Sequence, residues 1–398
     1  MVVRQPAIGR VAVARHWARR NLFSSRWNGV LTVVTVAVLA LGGLALARFI
    51  FVTASWDSVE ANRRLLFVAT YPGDEEWRLW PPLWLFATVA GLGYGLWSRI
   101  SPRELLIAAG SIAFIFLVLA EGEVAVLVAV AVLLAVAGYL LGHVVLRESR
   151  LDPLARQITI AGAVAVLPLA LLLLNFGEGV RTTQWGGVML NIMLSGVGIA
   201  VGFPLGVLLA LGRASSLPVV RIASTAYIEF VRAGPLILWL VIARFVLPNF
   251  LPTVGGLDEV DLVIRAMIVF AGFSAAYIAE VVRGGLQSVP PGQREAADAL
   301  GLNTLQTTWY IVLPQALRAT IPAIVGQFIV LFKDTAVIAL VGLMDLLGAA
   351  YAIILGQDRW RTADPEVFLF VAVVYWIFTF GMSSVSAGVE KRVRAGED

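Results

Sequence analysis

Long apolar runs separated by short polar segments cover most of the chain. Several of these runs reach or exceed about 18 residues, which is long enough for a helix to cross roughly 30 Å of hydrocarbon. The period-two alternation of a membrane β-barrel is absent, so the pattern predicts an all-α polytopic membrane protein with about ten transmembrane helices. The predicted spans are residues 30–52, 82–98, 104–120, 124–146, 158–175, 188–212, 222–247, 262–284, 318–342 and 366–388.

The composition agrees with a membrane protein. Of the 398 residues, 59% are hydrophobic and 14% are charged, whereas soluble domains are roughly half apolar and a quarter charged. The chain has no cysteine, which excludes disulfides, thiol chemistry and cysteine-based metal sites. The sequence contains no constellation of metal ligands or of a nucleophile and its base, and we expect no catalytic residue, bound cofactor or metal in this chain.

Basic residues are distributed unevenly between the segments that join the spans. The segments predicted on the cytoplasmic side hold 19 lysines and arginines, whereas the segments predicted outside hold 6. This bias follows the positive-inside rule, and the even number of spans places both termini in the cytoplasm. Residues 1–28 carry six arginines and no acid, which favours a retained first span over a cleaved signal peptide.

The two halves of the chain differ in the polar content of their spans. Residues 1–180 combine an Arg-rich N-terminus with five spans that are almost free of charge, and with one longer outside loop at residues 53–80. Residues 185–390 carry polar residues within spans, glycine and proline breaks, and a polar inside loop at residues 286–314. We therefore predict that the second half performs the function and that the first half is accessory.

The polar loop contains the stretch "REAADALGLNTLQTTWYIVLPQ" (294–315), which predicts a helix, a turn and a second helix. Gly301 suits the left-handed position that ends the first helix. Asn303 with Gln306 has the spacing of a capping box that begins the second helix, and Pro314 is expected to interrupt it. The local pattern also fits a solvated amphipathic connector that contacts no partner.

Small residues recur along the sixth predicted span. Such residues let a neighbouring helix approach closely inside a membrane, and a place in a pore is the alternative interpretation. The residues are Asn191, Ser195, Gly196, Gly198, Gly202 and Gly206.

Ionisable residues inside predicted spans are costly and mark candidate functional sites. Lys333 and Asp334 lie near the middle of the ninth span, where they either face a translocation path or form a buried polar contact between spans. Two further pairs have i, i+3 spacing on one helix face, which fits either helix-end ion pairs or a cytoplasmic gate whose pairing changes. These pairs are Glu229 with Arg232 and Glu280 with Arg283.

The polar loop also carries a longer motif, with the order E-A-A, three residues, G, nine residues, I-x-L-P. This order resembles the EAA loop of ABC importer membrane subunits. The stretches "AAYIAEVVRGGLQSVPPGQREAADALG" (275–301) and "LFKDTAVIALVG" (331–342) resemble the polar amino-acid permeases of the histidine/glutamine/glutamate class, and the extra N-terminal spans resemble the larger permease of general L-amino-acid importers. The motif residues are Glu295, Ala296, Ala297, Gly301, Ile311, Leu313 and Pro314.

The resemblance implies a coupling role for these seven residues, because the family's loop docks on a cytoplasmic ATPase. It implies a five-helix type I importer core at residues 185–390. Within that core, the charges inside predicted spans make Lys333, Asp334, Thr335 and the two charged pairs candidates for a substrate path or gate. The implied partners are a second permease subunit, expected to be a sister chain in a heterodimer, two copies of an ABC ATPase and a periplasmic amino-acid-binding protein. We expect no nucleic-acid partner.

The ATPase is expected to be a separate chain that binds ATP and Mg, because neither lysine of this chain follows a glycine as a phosphate-binding P-loop requires. One departure from the family is Arg232-Ala233-Gly234-Pro235, where R-G-T-P or R-G-V-P is usual, and Arg244 follows in a mostly apolar span.

The sequence therefore predicts the membrane-spanning permease subunit of an ATP-driven importer for L-amino acids in a bacterial inner membrane. The alternative is an ion-coupled secondary transporter of amino acids, since ten spans divided five and five would suit an inverted repeat. The two halves share no polar pattern, which speaks against the alternative.

Overall fold

The computed structural model of the chain divides into two compact units, one ending at Asp57 and the other beginning at Ser58. Within the described residues the chain is helical and forms no strand, which confirms the all-α class. The predicted third span, residues 104–120, lies outside the described residues. Those residues are 10–97, 122–147, 149–177, 179–250 and 260–395.

The described part of the first unit contains the helices α1 (Arg10–Asn21) and α2 (Arg26–Arg48). The side chain of Ser25 caps α2 by accepting a hydrogen bond from the backbone N–H of Asn28 at 3.1 Å. A π turn extends α2 to Thr53, so that the helical run is long and apolar enough to cross a membrane. This confirms the first predicted span.

The helices that follow α2 are joined by connectors, and π turns or 3-10 segments extend several of them. They are α3 (Asp57–Ala61), α4 (Arg63–Val68), α5 (Trp80–Trp97), α6 (Gly122–Leu140), α7 (Asp152–Asn175), α8 (Gly187–Arg213), α9 (Pro218–Ala233), α10 (Leu236–Val241), α11 (Leu247–Phe250), α12 (Leu262–Ser288), α13 (Pro291–Ala299), α14 (Thr304–Gln306), α15 (Leu313–Asp334), α16 (Leu346–Gly356) and α17 (Asp364–Ala395).

Seven helical runs in the described part of the chain are long and apolar enough to cross a membrane, or eight if one bent pair counts as a single span. They correspond to predicted spans one, four, five, six, eight, nine and ten, with the bent pair at span seven. Helix α5 forms where the second span was predicted, but it is not among the seven. Its two prolines, three tryptophans and three glycines lower its mean hydropathy.

The predicted seventh span is divided into two helical parts by a sharp bend. The axis turns by 98° between α9 and the run that begins with α10. Gly234 has an extended backbone, with φ −107° and ψ 148°, because the proline that follows it disfavours the helical conformation at the preceding residue. Pro235 then begins the next helical run.

Arg244 lies in the second half of this bent span, and the structure accounts for its charge. Its guanidinium donates a hydrogen bond to the backbone carbonyl of Val341, and it lies 5.2 Å from the ring centroid of Phe245. Arg265 of α12 donates to the carbonyl of Ala243 at 2.7 Å. These two arginines therefore attach the second half of the bent span to its neighbours.

Glycines set the closest helix contacts in both halves of the second unit. A Cβ atom at Gly91 of α5 would lie 1.9 Å from the carbonyl oxygen of Ala135 in α6. In the core, a Cβ at Gly202 of α8 would lie 2.7 Å from Cβ of Ser274 in α12, and one at Gly206 would lie 2.8 Å from Cβ of Ile278. The prediction of close helix approach along the sixth span is confirmed at these core glycines.

Candidate functional site

The polar loop forms the helix, turn and helix that its sequence predicts. Helix α12 ends at Ser288 and α13 begins at Pro291. The side chain of Asn303 accepts a hydrogen bond from the backbone N–H of Gln306 at 2.9 Å, and the side chain of Gln306 accepts one from the backbone N–H of Asn303 at 3.0 Å. This reciprocal pair confirms the predicted capping box.

Gly301 ends α13 in the left-handed conformation that was predicted, with φ 77°. The N–H of Leu302 donates to the carbonyl of Ala297 at 3.1 Å, and the N–H of Gly301 donates to that of Asp298 at 2.9 Å, which together make a Schellman motif. A Cβ at position 301 would meet nothing within 4 Å. The backbone conformation, and not lack of space, therefore requires glycine here.

The loop exposes apolar side chains to solvent although its sequence is polar. Of the α13 residues only Ala297 is buried, and Glu295 and Ala296 are exposed. Leu300 is 80% exposed and Tyr310 is 73% exposed. Large exposed side chains grouped on one loop are typical of a surface that another protein covers. The large apolar side chains exposed on this loop are Leu300, Leu305, Trp309 and Tyr310.

Pro314 does not interrupt the second helix of the loop, so this prediction is wrong. One helical run continues from Thr304 through a π turn at Thr307–Val312 and through α15 to Val341. Pro314 lies in the first turn of α15. The π turn before Pro314 changes which backbone N–H groups pair with which carbonyls. Because Pro314 lies in the first turn after this change, the helix needs no N–H donor at its position.

The beginning of α15 packs deeply into the core. Val312 and Leu313 are buried in a cluster with Ile278 and Leu286 of α12, and Val207 of α8 belongs to the same cluster. Ile311, in the turn before, is half-buried, and Pro314 is exposed. The loop is therefore continuous with a membrane span whose first buried residues contact the helices of the core.

Five charged side chains from α8, α9 and α12 form one cluster. Arg213 Nη1 lies 2.6 Å from Glu280 Oε1 and 2.8 Å from Glu229 Oε1. Glu280 Oε2 lies 2.8 Å from Arg283 Nη2 and 3.6 Å from Arg232 Nη1. The Glu280 side chain is 17% exposed, the lowest value in the cluster, so it is the centre on which three arginines converge.

The cluster differs from the pairing expected from sequence spacing. The predicted pair of Glu280 with Arg283 forms, but Glu229 pairs with Arg213 of α8 and not with Arg232. Arg232 is directed toward Glu280 and lies 5.5 Å from the ring centroid of Tyr277. The spacing rule identified partners on one helix and could not identify partners on a neighbouring helix.

A cavity of about 130 Å³ lies between α12 and α15, and Asp334 is one of its lining residues. Lys333 is exposed, Asp334 is half-buried and Thr335 is fully buried. Lys333 and Asp334 are the last two residues of α15, and Thr335 begins the 3-10 segment that continues the helical run to Val341. The lining residues are Phe273, Ser274, Tyr277, Gln327, Val330, Leu331 and Asp334.

A buried polar network joins four elements around Thr335, at the same end of α15. The side-chain amide of Asn191 in α8 donates to Thr335 Oγ1 at 2.8 Å, to Asp345 Oδ2 at 3.1 Å and to the hydroxyl of Tyr375 in α17 at 2.8 Å. Asn191, Thr335 and Asp345 are each at most 1% exposed. Sequence reasoning treated Asn191 only as a small residue and did not identify this network.

Asp345 of this network caps α16, because its side chain accepts a hydrogen bond from the N–H of Gly348 at 2.9 Å. Burial raises the pKa of the Asp345 carboxyl to about 6, and the hydrogen bonds from Gly348 and Asn191 oppose part of that rise. Ionisation of the Asp345 carboxyl is therefore less favourable in the folded protein than in water.

The described part of the chain holds no group of three or more histidine, aspartate, glutamate or cysteine side chains that could bind a metal ion. The charged cluster contains two carboxylates and three arginines, a composition that suits ion pairing more than cation binding.

The chain is 32% identical to the inner membrane amino-acid ABC transporter permease protein YhdY of Escherichia coli K12, over 98% of its own length and 96% of that protein. Residues 202–395 match the family described as "Binding-protein-dependent transport system inner membrane component". The chain belongs to this family. It is therefore an ABC importer permease, a translocation subunit of the inner membrane, and such permeases work with ATPase and substrate-binding partners.

The permease is also 43% identical to the glutamate/glutamine/aspartate/asparagine transport system permease protein BztC of Rhodobacter capsulatus, over 59% of its own chain and 52% of that protein. It is 34% identical to the glutamate/aspartate import permease protein GltK of Escherichia coli O6:H1, over 52% of its chain and 91% of that protein. The solved structure "Crystal structure of an amino acid ABC transporter with histidines" is 29% identical, covers 52% of this chain and 92% of its own, and has a TM-score of 0.46.

The matched family segment contains the candidate residues of the permease. Residues 202–395 include the polar loop, the charged cluster and positions 333–335, whereas Asn191 precedes the segment. The signal that could have identified Arg213 is a basic residue in the last turn of α8, one short connector before the helix that carries Glu229. The two side chains meet because the middle of α9 packs against the end of α8, where a Cβ at Gly212 would lie 2.2 Å from Ser224 Oγ.

Proposed function

We propose that this permease imports L-amino acids, most of all polar ones, and that residues 286–314, here named the coupling loop, transmit the motion of a separate ABC ATPase. The single observation that carries the proposal is that this exposed loop is continuous with a membrane span whose start packs against α8 and α12. The names of YhdY, BztC and GltK, which specify amino acids or glutamate and aspartate, support the substrate class.

The residues of the loop motif divide the work of this proposal between contact with the ATPase, the turn and the connection to the core. Glu295 and Ala296 are exposed on α13 and contact the ATPase, with the carboxylate as an acceptor and the small side chain permitting close approach. Ala297 faces inward and holds α13 to the protein. Gly301 fixes the turn. The remaining motif residues, Ile311, Leu313 and Pro314, connect the loop to the core.

The charged cluster acts as the gate on the cytoplasmic side. Its members lie on α8, α9 and α12, and Val312 and Leu313 of the coupling loop belong to one apolar cluster with buried residues of the same three helices. A displacement of the loop therefore reaches the ion pairs of Glu229, Glu280, Arg232 and Arg283 through packed side chains. Ion pairs at this partial exposure are weak enough to exchange partners during transport.

The cavity between α12 and α15 is the substrate path in this proposal. Asp334 offers a carboxylate to the ammonium group of a zwitterion, and the guanidinium of Arg232, over the ring of the cavity residue Tyr277, offers a positive charge to the carboxylate. Lys333 is exposed beside Asp334, whereas Thr335 is buried and supports Asn191. The alternative is that these charges only connect spans.

The complete importer is proposed to contain a sister permease, two copies of an ATPase that bind ATP and Mg, and a periplasmic amino-acid-binding protein. Both termini of this chain lie in the cytoplasm, as the distribution of arginines favours. Residues 1–180 are an accessory segment, and residues 185–390 are the importer core. The match of residues 202–395 to the family supports the position of the core.

The decisive experiment is uptake of radiolabelled glutamate and glutamine by proteoliposomes that contain the permease, its sister chain, the ATPase and the binding protein. We expect uptake with ATP inside the vesicle and none when the ATPase is omitted. Uptake that follows a proton or sodium gradient without the ATPase would support the secondary transporter instead.

A matched pair of variants separates coupling from assembly. Glu295→Gln retains size and helix propensity but removes the charge of the coupling loop, and we expect it to lower ATP-driven uptake by about tenfold. Arg221→Gln on α9, an exposed arginine outside the coupling loop, should retain uptake. Equal uptake by both variants would refute the coupling role of Glu295.

A further inference from the structure

Residues 58–79, here named the outer cap, follow the first span in the sequence and precede α5, and they form a compact structure. Ser58, Val59, Leu66 and Tyr71 are each at most 2% exposed, a burial typical of a packed core and not of a loose connector. The cap consists of most of α3, all of α4 and a 3-10 segment at Gly73–Leu79. It is therefore a built element of the fold.

The cap is attached to the importer core by specific contacts. The amide of Gln357, after α16, donates to Asn62 Oδ1 at 2.9 Å. Phe67 stacks edge-on against Phe370 of α17, with ring centroids 6.3 Å apart. A Cβ at Gly187, the first residue of α8, would lie 2.4 Å from the carbonyl carbon of Phe67. The cap thus contacts three core elements at one end of the bundle.

The cap is attached to the accessory helices as well. Arg78 is buried, and its guanidinium donates to the carbonyls of Leu173 at 2.8 Å and Phe176 at 2.5 Å at the end of α7. Its Nε lies 2.5 Å from Glu75 Oε2. Because Arg78 satisfies the last carbonyls of α7, the accessory helices and the core are joined through the cap.

The exposed residues of the cap are mostly polar or acidic, with one aromatic ring among them. Glu60, Asp74 and Thr70 are exposed, Trp77 is 50% exposed, and Arg64 is paired with Glu76 at 2.7 Å. The carboxylates of Glu60 and Asp74 have no ion pair within the described part of the chain. Two exposed carboxylates without an ion pair suit a soluble partner with basic groups, and an exposed tryptophan is typical of a protein contact.

We propose, on the basis of the importer function proposed above, that the outer cap is a docking surface for the soluble binding protein that delivers the substrate. The arginine distribution favours the outside for residues 53–80, which is the side from which an importer receives substrate. The family description itself specifies dependence on a binding protein. Since the cap contacts Gly187 of α8 and Phe370 of α17, a protein bound to the cap can act on these core helices through it.

The test measures ATPase activity of the intact complex in nanodiscs while the cognate binding protein is titrated. The double variant Glu60→Lys with Asp74→Lys should raise the binding-protein concentration for half-maximal stimulation about tenfold at low salt, with unchanged maximal activity. The neutral double variant Glu60→Gln with Asp74→Asn should give an intermediate value. Higher ionic strength should reduce the difference from wild type. Arg150→Glu, which reverses an exposed charge in the connector predicted on the opposite side, is the control.

The possible outcomes separate the two proposals. If the wild-type complex shows stimulation and the lysine variant has the same half-maximal concentration, docking on the cap is refuted and the importer function stands. If the lysine variant instead dissociates the permease pair during purification, the cap is a subunit contact, and docking is again refuted. If the wild-type complex shows neither stimulation nor uptake, the importer function itself fails.

Discussion

Arg213 is the residue that binds three helices together at the charged cluster, since its guanidinium contacts carboxylates of both α9 and α12. Its side chain is 25% exposed, so solvent screens part of each ion pair. Each ion pair of Arg213 is therefore weak by itself. Removing the arginine matters mainly because Glu229 and Glu280 both lose the same partner.

Replacing Arg213 by glutamine should destabilise the permease by about 1–2 kcal/mol, because Glu229 loses its ion pair and Glu280 keeps only its other partners. We also expect ATPase activity in the absence of binding protein to rise, since α8 no longer pairs with the carboxylates of α9 and α12. Thermal unfolding in detergent and ATPase assays of the complex measure the two effects. Arg221→Gln is the control, and equal behaviour of the two variants would contradict a role for Arg213 in the gate.

Asp345 predicts a pH dependence of stability. Its pKa is about 6 in the folded protein, above that of an unfolded chain, because burial disfavours the charged carboxylate. Below the unfolded pKa both states are protonated. As pH rises toward 6, the carboxyl ionises in the unfolded state before it ionises in the folded state, so the free energy of unfolding falls. Above the folded pKa of about 6 the free energy of unfolding falls no further, and the total loss is up to about 3 kcal/mol.

The measurement compares thermal unfolding of the wild type with Asp345→Asn between pH 4 and pH 7.5. Asparagine can still cap α16, and it does not titrate. We expect the stability of the wild type relative to the variant to decline up to pH 6 and to remain level above it. Parallel curves across the whole range would show that the carboxyl has the same affinity for protons in both states.

At the scale of single elements, the coupling loop provides a direct comparison between two glycines. Gly292 and Gly301 both have open space around them, but only Gly301 has a positive φ. Gly301→Ala should cost about 1–2 kcal/mol through the strained left-handed backbone, and it should lower ATP-driven uptake. Gly292→Ala, inside α13, should be neutral or slightly stabilising. Uptake assays beside thermal unfolding test both, and equal effects would show that the turn conformation is unimportant.

Local elements could be predicted from the sequence wherever the deciding interactions are local. The capping box of Asn303 and the turn at Gly301 depend on neighbours in the chain, and both were predicted. The 98° bend at Gly234 was not predicted. A run of apolar residues indicates that a segment can lie in a membrane, but it does not indicate whether the helix axis changes direction within the segment. The network of Asn191 joins residues up to 184 positions apart, a separation across which one sequence carries no pairing signal.

The contacts between α5 and α6 illustrate the same limit. Gly91 and Gly95 on α5 lie against the backbone of residues 135–143, and Gly138 and Gly142 lie against the backbone of α5. A Cβ at Gly95 would lie 2.4 Å from the carbonyl oxygen of Tyr139. Both pairs have the small-xxx-small spacing that membrane helices use for packing. The accessory helices therefore hold specific packing information although they carry almost no charge.

At the scale of the whole molecule, the direction in which the chain crosses the membrane decides whether the coupling loop and the outer cap can act as proposed. The natural sequence lacks cysteine, so single-cysteine variants report topology without background labelling. Asp74→Cys in the cap and Asp298→Cys in α13 are suitable positions, because both native side chains are exposed. A membrane-impermeant maleimide should label Asp74→Cys in intact cells and Asp298→Cys only in inverted vesicles.

The second position also reports the ATPase. If the ATPase covers the coupling loop, labelling of Asp298→Cys in inverted vesicles should fall severalfold when the ATPase is present and recover when it is stripped from the membrane, whereas labelling of Asp74→Cys should not respond. Labelling of Asp298→Cys from outside the cell would invert the topology and place the exposed leucines and aromatic residues of the loop where no ATP-driven subunit can reach them. In that case the continuous helix from Thr304 to Val341 could not transmit force from the cytoplasm.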